Sequence, residues 1–148
     1  MVSRPLPNSS GESMTDLLGT WTLVSCVNQR GDQERKTFGD PPAGQLQYAA
    51  DGRMSAFLMD PAWAARGDPI ADSFTQFFSY AGTWRREGNR VIHDILFASQ
   101  PTRVGTSFVR LIVPLDDQTI ELITEPEVSK SGQTYVTRLK WKRVTSGS

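Results

Sequence analysis

The feature that most limits what this chain can become is its rhythm of turns. Between residues 20 and 144, short segments rich in Val, Ile, Thr, Trp and Phe are cut at intervals by turn-forming residues, with no long helical stretch between them. Asp51-Gly52 is a strong hairpin signal. Glu87-Gly88-Asn89 and Asp116-Asp117 mark two further turns. The segments read as strands over 20–28, 45–49, 53–59, 80–86, 90–98, 106–114, 118–124 and 133–144. Without crossover helices, consecutive strands pair antiparallel. Eight such strands close on themselves with room inside for one small ligand, and closure removes exposed edges. The expected fold is therefore all-β, an eight-stranded antiparallel up-and-down barrel with short helical segments. Two stretches break the rhythm and have helical character, 61–65 and 70–78. The second puts Ile70, Phe74, Phe77 and Phe78 on one side, to cap a barrel end or to pack as an ordinary core helix.

A chain of 148 residues suits one domain, placed here at 16–145. Residues 1–15 are rich in Pro and Ser and read as a disordered tail. They lack the apolar core of a secretory signal, and no stretch has the length of a membrane-spanning helix, so a cytoplasmic protein is expected. Lys plus Arg and Asp plus Glu are both 16, a formal charge of zero, which gives no electrostatic footprint for nucleic acid or an anionic membrane. Lys140, Lys142 and Arg143 read as a solvated strand face.

One cysteine, Cys26, and one histidine, His93, exclude an internal disulfide and leave a zinc site short of ligands. Cys26 reads as a small buried hydrophobe rather than a nucleophile. There is no Gly-rich phosphate loop. Neither metal nor cofactor is expected.

Strand side chains alternate between faces, so the turns fix which residues share a side. Around residues 87–89, Trp84 falls opposite His93 and Tyr80 opposite Phe97. One face then carries Tyr80, Trp84, Val91, His93, Ile95 and Phe97, and its aromatic character assigns it to the interior. Asp94 falls on the other face, which excludes a His93–Asp94 dyad. Around 116–117, Ile112 falls opposite Glu121 and Arg110 opposite Ile123, making Arg110 and Glu121 diagonal neighbours. Such an ion pair inside a cavity is expensive to desolvate but suits recognition of a hydroxyl, phenol or carboxylate. Hydrophobicity alone favours the opposite choice, with Val109, Leu111 and Val113 inside. A histidine on an apolar face is either a satisfied core residue or a catalyst. Burial lowers its pKa and leaves it neutral, able to act as a base.

Three stretches resemble a known family. Leu18-Gly19-Thr20-Trp21 carries the Gly-x-Trp element that opens the first strand of lipocalins. Gly44-Gln45-Leu46-Gln47-Tyr48 followed by Asp51-Gly52-Arg53-Met54-Ser55-Ala56 is similar to the bacterial and fungal lipocalin-like domain family. So are Ser79-Tyr80-Ala81-Gly82-Thr83-Trp84, Arg90-Val91-Ile92-His93 and the run from Pro101 through Val104-Gly105-Thr106 to Arg110. The likeness runs from Leu17 to Val144. It implies a lipocalin-like barrel with a central cavity, and a tryptophan closing one end under an arginine of the last strand, here Trp21 and Arg143. It also implies functional positions at His93 and Arg110. In the Pro101–Val104 loop this chain lacks the aromatic residue common in the family.

Some members of the family are cyclases, isomerases or pericyclases in natural-product pathways. The resemblance thus implies a cofactor-independent cyclase or isomerase acting on an apolar polyketide- or terpenoid-like intermediate. The candidate catalytic set is His93, Arg110 and Glu121; Tyr48, Phe57, Tyr80, Trp84 and Phe97 are the candidate substrate contacts. The alternative is a carrier that binds a small hydrophobic metabolite without changing it.

Overall fold

The structure is a computed structural model and describes residues 16–67 and 75–145. Its strands are β1 (Gly19–Arg30), β2 (Gln33–Lys36), β3 (Ala43–Tyr48), β4 (Arg53–Met59), β5 (Phe77–Glu87), β6 (Arg90–Ala98), β7 (Ser107–Asp116), β8 (Thr119–Thr124), β9 (Glu127–Val128) and β10 (Thr134–Arg143). Neighbours pair antiparallel in the order β2-β1-β3-β4-β5-β6-β7-β8-β10-β9. β10 returns to pair with β1 from Trp21↔Arg143 to Gln29↔Val136, which closes an eight-stranded barrel to which β2 and β9 are short extensions. No helix among the described residues is long and apolar enough to cross a membrane.

Local chemistry explains the elements. At Asp51-Gly52 the glycine adopts φ 91°, and the Asp51 carboxylate accepts from the Arg53 amide at 2.9 Å, closing the β3–β4 hairpin. The helix α1 (Pro61–Arg66) starts at Asp60, whose carboxylate accepts from the Ala62 amide at 2.9 Å, and ends at Gly67 in the left-handed conformation. The longer helix expected over 70–78 is corrected in part. Residues 70–74 lie outside the described residues, whereas Phe77 and Phe78 open β5 and point to opposite faces. Phe78 turns inward, and Phe77 stacks on Trp63 of α1 at 5.8 Å. A run of aromatic residues fits strand and helix patterns alike, and strand pairing with β4 decides here.

One end of the barrel is sealed. Trp21 is wholly buried there and its indole N–H donates to the Leu17 carbonyl at 3.0 Å. The Arg143 guanidinium covers its ring at 4.2 Å and donates to the carbonyls of Leu18, at 2.7 Å, and Asp16. Arg143 therefore does not join Lys140 and Lys142 on a solvated face but caps the core. The core rises from that seal through Leu46, Ile95, Ile120 and Leu122. Cys26 is buried within it and accepts a hydrogen bond from the Thr37 hydroxyl at 3.1 Å.

Candidate functional site

Above the sealed end the barrel keeps an open cavity of about 620 Å³. Its deeper wall is apolar and aromatic, from Leu46, Phe78, Phe108, Leu122, Leu139 and Trp141. The indole N–H of Trp141 is buried without a hydrogen-bond partner among the described residues. Phe38 enters the wall from the β2–β3 loop with φ 62°, a left-handed backbone that costs a bulky residue about 1 kcal/mol. The mouth lies between the far end of β1, the β6–β7 loop and the β8–β10 connection.

The polar centre of the wall is built around His93. Its partner in β5 is Trp84 and its partner in β7 is Phe108, so the imidazole points inward, 1% exposed. Tyr48 from β3 places its hydroxyl 2.6 Å from Nε2, and Tyr80 from β5 places its hydroxyl 2.8 Å from Nδ1. Burial, reinforced by the charge of Arg110, lowers the imidazole pKa to about 3, so the ring is neutral across the physiological range. Burial raises both phenols above the usual tyrosine value, and the nearby Arg110 cation opposes part of the rise.

Partner counting then fixes the protons. A neutral imidazole carries one N–H. Tyr48 does not line the cavity and has no second polar partner among the described residues, so its hydroxyl donates to Nε2. Nδ1–H donates in turn to the Tyr80 oxygen. Tyr80 lines the cavity and keeps its own O–H for whatever enters it. Arg110 stands opposite Val91, turned inward, where it donates to the Tyr80 oxygen, with its guanidinium 4.5 Å from the centre of the Phe108 ring. Two donors, one neutral and one cationic, thus converge on a single region of an apolar wall.

The strand alternation brought His93 and Tyr80 inside and left Arg110 open, with the family resemblance favouring a functional position for it; the structure puts all three together. Asp94 lies outside, bonded to Arg85 at 2.6 Å and to Ser107 at 2.6 Å, as the strand alternation required. Other expectations are corrected. Tyr80 pairs with Ala98, not Phe97, because a bulge between Ala81 and Gly82 leaves Leu96 unpaired. That extra residue turns Phe97 outward, 65% exposed. Phe57 alternates with the inward Ala56 and Leu58 and is likewise outside, 45% exposed. Trp84 packs below the cavity, 4.7 Å from the Tyr48 ring, with its N–H on the Ala49 carbonyl at 3.0 Å. Trp84 and Tyr48 therefore support the site from beneath and do not line it.

Glu121 is also displaced. The register pairs Ile112 with Leu122 and Arg110 with Thr124, one residue from the expected pairing, with an irregularity between Pro114 and Asp116. A one-residue slip exchanges faces. Glu121 lies on the outer surface, paired with Arg138 at 3.1 Å, and Arg110 has no carboxylate partner among the described residues. The alternative interior of Val109, Leu111 and Val113 is not adopted as a set, since Phe108 and Arg110 line the cavity and Ile112 is buried in the core, although Val109 also borders the cavity. Both faces of β7 are apolar enough to mislead a hydrophobicity argument. Phe108 was missed, although its place two residues before Arg110 on the same strand face was a usable signal.

Among the described residues, no group of three or more His, Cys, Asp or Glu side chains is placed to hold a metal. A family model described as a lipocalin-like domain matches residues 18–144. No curated protein matches the sequence. Similar solved structures include a redesigned β-barrel, 12% identical over 87% of this chain and 92% of its own, with a TM-score of 0.42. An uncharacterized protein from Bacteroides eggerthii is 14% identical over 83% of this chain and 98% of its own, with a TM-score of 0.42. A de novo designed fluorescence-activating β-barrel is 11% identical over 86% of this chain and 93% of its own, again with a TM-score of 0.42.

Proposed function

The chain belongs to the lipocalin-like domain family, and on that premise we propose that its cavity binds a small, mostly apolar organic molecule through one oxygen acceptor. That oxygen docks between the Tyr80 hydroxyl and the Arg110 guanidinium while the body of the ligand packs on Phe78, Phe108, Leu122 and Leu139. The observation that carries this reading is the pair of convergent donors on an otherwise apolar wall, one of them held in place by a buried neutral imidazole. His93 is a positioning residue: both of its nitrogens are engaged by tyrosines, and an imidazole with a pKa of about 3 is a weak base.

The reading is tested with 2-acetonaphthone, a flat ketone with one acceptor. Calorimetric titration is expected to give saturable 1:1 binding, weakened about tenfold in Tyr80→Phe by the loss of one hydrogen bond. Absence of binding, or wild-type affinity in both Tyr80→Phe and Arg110→Met, overturns it.

A second reading is favoured by the same donor pair. Donors fixed beside a water-poor wall stabilise negative charge that develops on an oxygen, and one such donor is worth about 3 kcal/mol of barrier. Cofactor-independent cyclisation or isomerisation of a polyketide- or terpenoid-like intermediate needs just this, together with a cavity that holds one reactive conformer. Its test is the product ratio from an enolisable polyketone with and without the protein. A ratio unchanged by the wild type leaves the carrier role. A ratio shifted by the wild type and restored in Arg110→Met supports catalysis.

A further inference from the structure

The outer surface and the cavity handle their cations differently. Outside, Arg138 is paired with Glu121, Arg85 with Asp94 and Glu87, and Lys36 with Asp40. Around the cavity, three arginines rest on rings. Arg110 and Arg103 both lie over Phe108, at 4.5 and 5.4 Å, and Arg30 lies over Tyr135 at 5.0 Å. None of these three forms an ion pair among the described residues. Arg30 is held instead by Asn28 at 3.0 Å and Gln133 at 3.3 Å.

The lining as a whole is cationic. Among the described residues, Arg35 and Lys130 join those three arginines at the mouth, against two carboxylates, Glu125 and Glu127. Glu127 is moreover engaged by the Tyr135 hydroxyl. In a chain whose formal charge is zero, this excess is local to the mouth. An aromatic face steadies a guanidinium without neutralising it. A half-buried guanidinium in an apolar wall still lacks the anion that would offset its desolvation.

We infer that the molecule bound in this cavity is an apolar carboxylate, its carboxylate held by Arg110, which has no carboxylate partner among the described residues, and drawn in past Arg103 and Arg30. This rests on the binding reading above and narrows it to an anionic ligand class. A carboxylate is favoured over a phosphate by geometry. Phe108 covers one face of the Arg110 guanidinium, leaving its planar N–H edge, which matches two coplanar oxygens. The Tyr80 O–H adds a third donor, and among the described residues the aromatic wall beyond has no further cations to meet a dianion at depth.

The experiment compares 2-naphthoic acid, its methyl ester and 2-naphthylmethylamine by calorimetry at pH 7.5 and 0.15 M salt. The acid is expected to bind ten- to a hundredfold more tightly than the ester, and the amine most weakly. Arg110→Met is expected to weaken the acid much more than the ester, so that the acid loses its preference, and residual binding of the ester shows that the variant is folded. Arg103→Gln with Arg30→Gln is expected to slow association of the acid and flatten its salt dependence. Equal affinity for acid and ester overturns the carboxylate inference while the binding reading stands. A preference for the acid that survives Arg110→Met overturns the placement at Arg110. If none of the three binds, the binding reading falls and this inference with it.

Discussion

Because the sequence contains a single histidine, buried 1% exposed between two phenols, its titration can be followed alone. In the unfolded chain an imidazole titrates near 6.5; in the fold burial and Arg110 bring it to about 3. As pH falls below 6.5 the unfolded state takes up a proton that the folded state refuses, so stability falls with falling pH. The contribution is intact above pH 6.5, declines by about 1.4 kcal/mol per pH unit, and is exhausted near pH 3. Between pH 7.5 and 5 the expected loss from this residue is about 2 kcal/mol, and over the whole window about 5 kcal/mol. Urea unfolding at a series of pH values measures it. The comparison is His93→Gln, uncharged at every pH, in which carboxylate contributions remain and the histidine slope vanishes. Equal slopes in the two proteins, or an imidazole proton resonance in the folded protein that titrates near 6.5, would falsify the buried, neutral placement of His93.

Tyr48→Phe removes the donor to Nε2 and leaves that nitrogen buried and unsatisfied; about 1–3 kcal/mol of stability should be lost in urea unfolding. A Cβ at Gly82 would lie 1.9 Å from the Asp94 carbonyl oxygen, so Gly82→Ala should force the β5–β6 bulge to rebuild and sharply lower the thermal midpoint. Arg143→Ala strips the cover from Trp21 and two carbonyl partners at the sealed end, with an expected cost of about 1–3 kcal/mol and faster exchange of the Trp21 indole proton.

The barrel was legible because turn chemistry and strand alternation agree along most of the chain. The Asp51-Gly52 hairpin and the Trp84–His93 pairing could both be placed by counting from a turn. The same count failed wherever a strand carries an extra residue. Gly82 inside an otherwise regular strand was the visible mark of the bulge that turns Phe97 outward, but a lone glycine does not say on which strand the extra residue sits. Between β7 and β8 the irregularity before Asp116 moved Glu121 from the cavity to the surface, and nothing in the hydrophobic pattern marks it. The Tyr48–His93–Tyr80 chain was out of reach for a different reason. Tyr48 comes from a strand that is not paired with β6, and contacts across a barrel do not follow from neighbouring turns.

Where a guest sits decides the whole account, and the aromatic surface outside gives a natural contrast. Intermolecular NOEs between bound 2-naphthoate and the protein side chains measure it directly. The account predicts contacts to Phe108, Leu122 and Leu139 within the barrel; contacts confined to the outward Phe57 and Phe97 would contradict it.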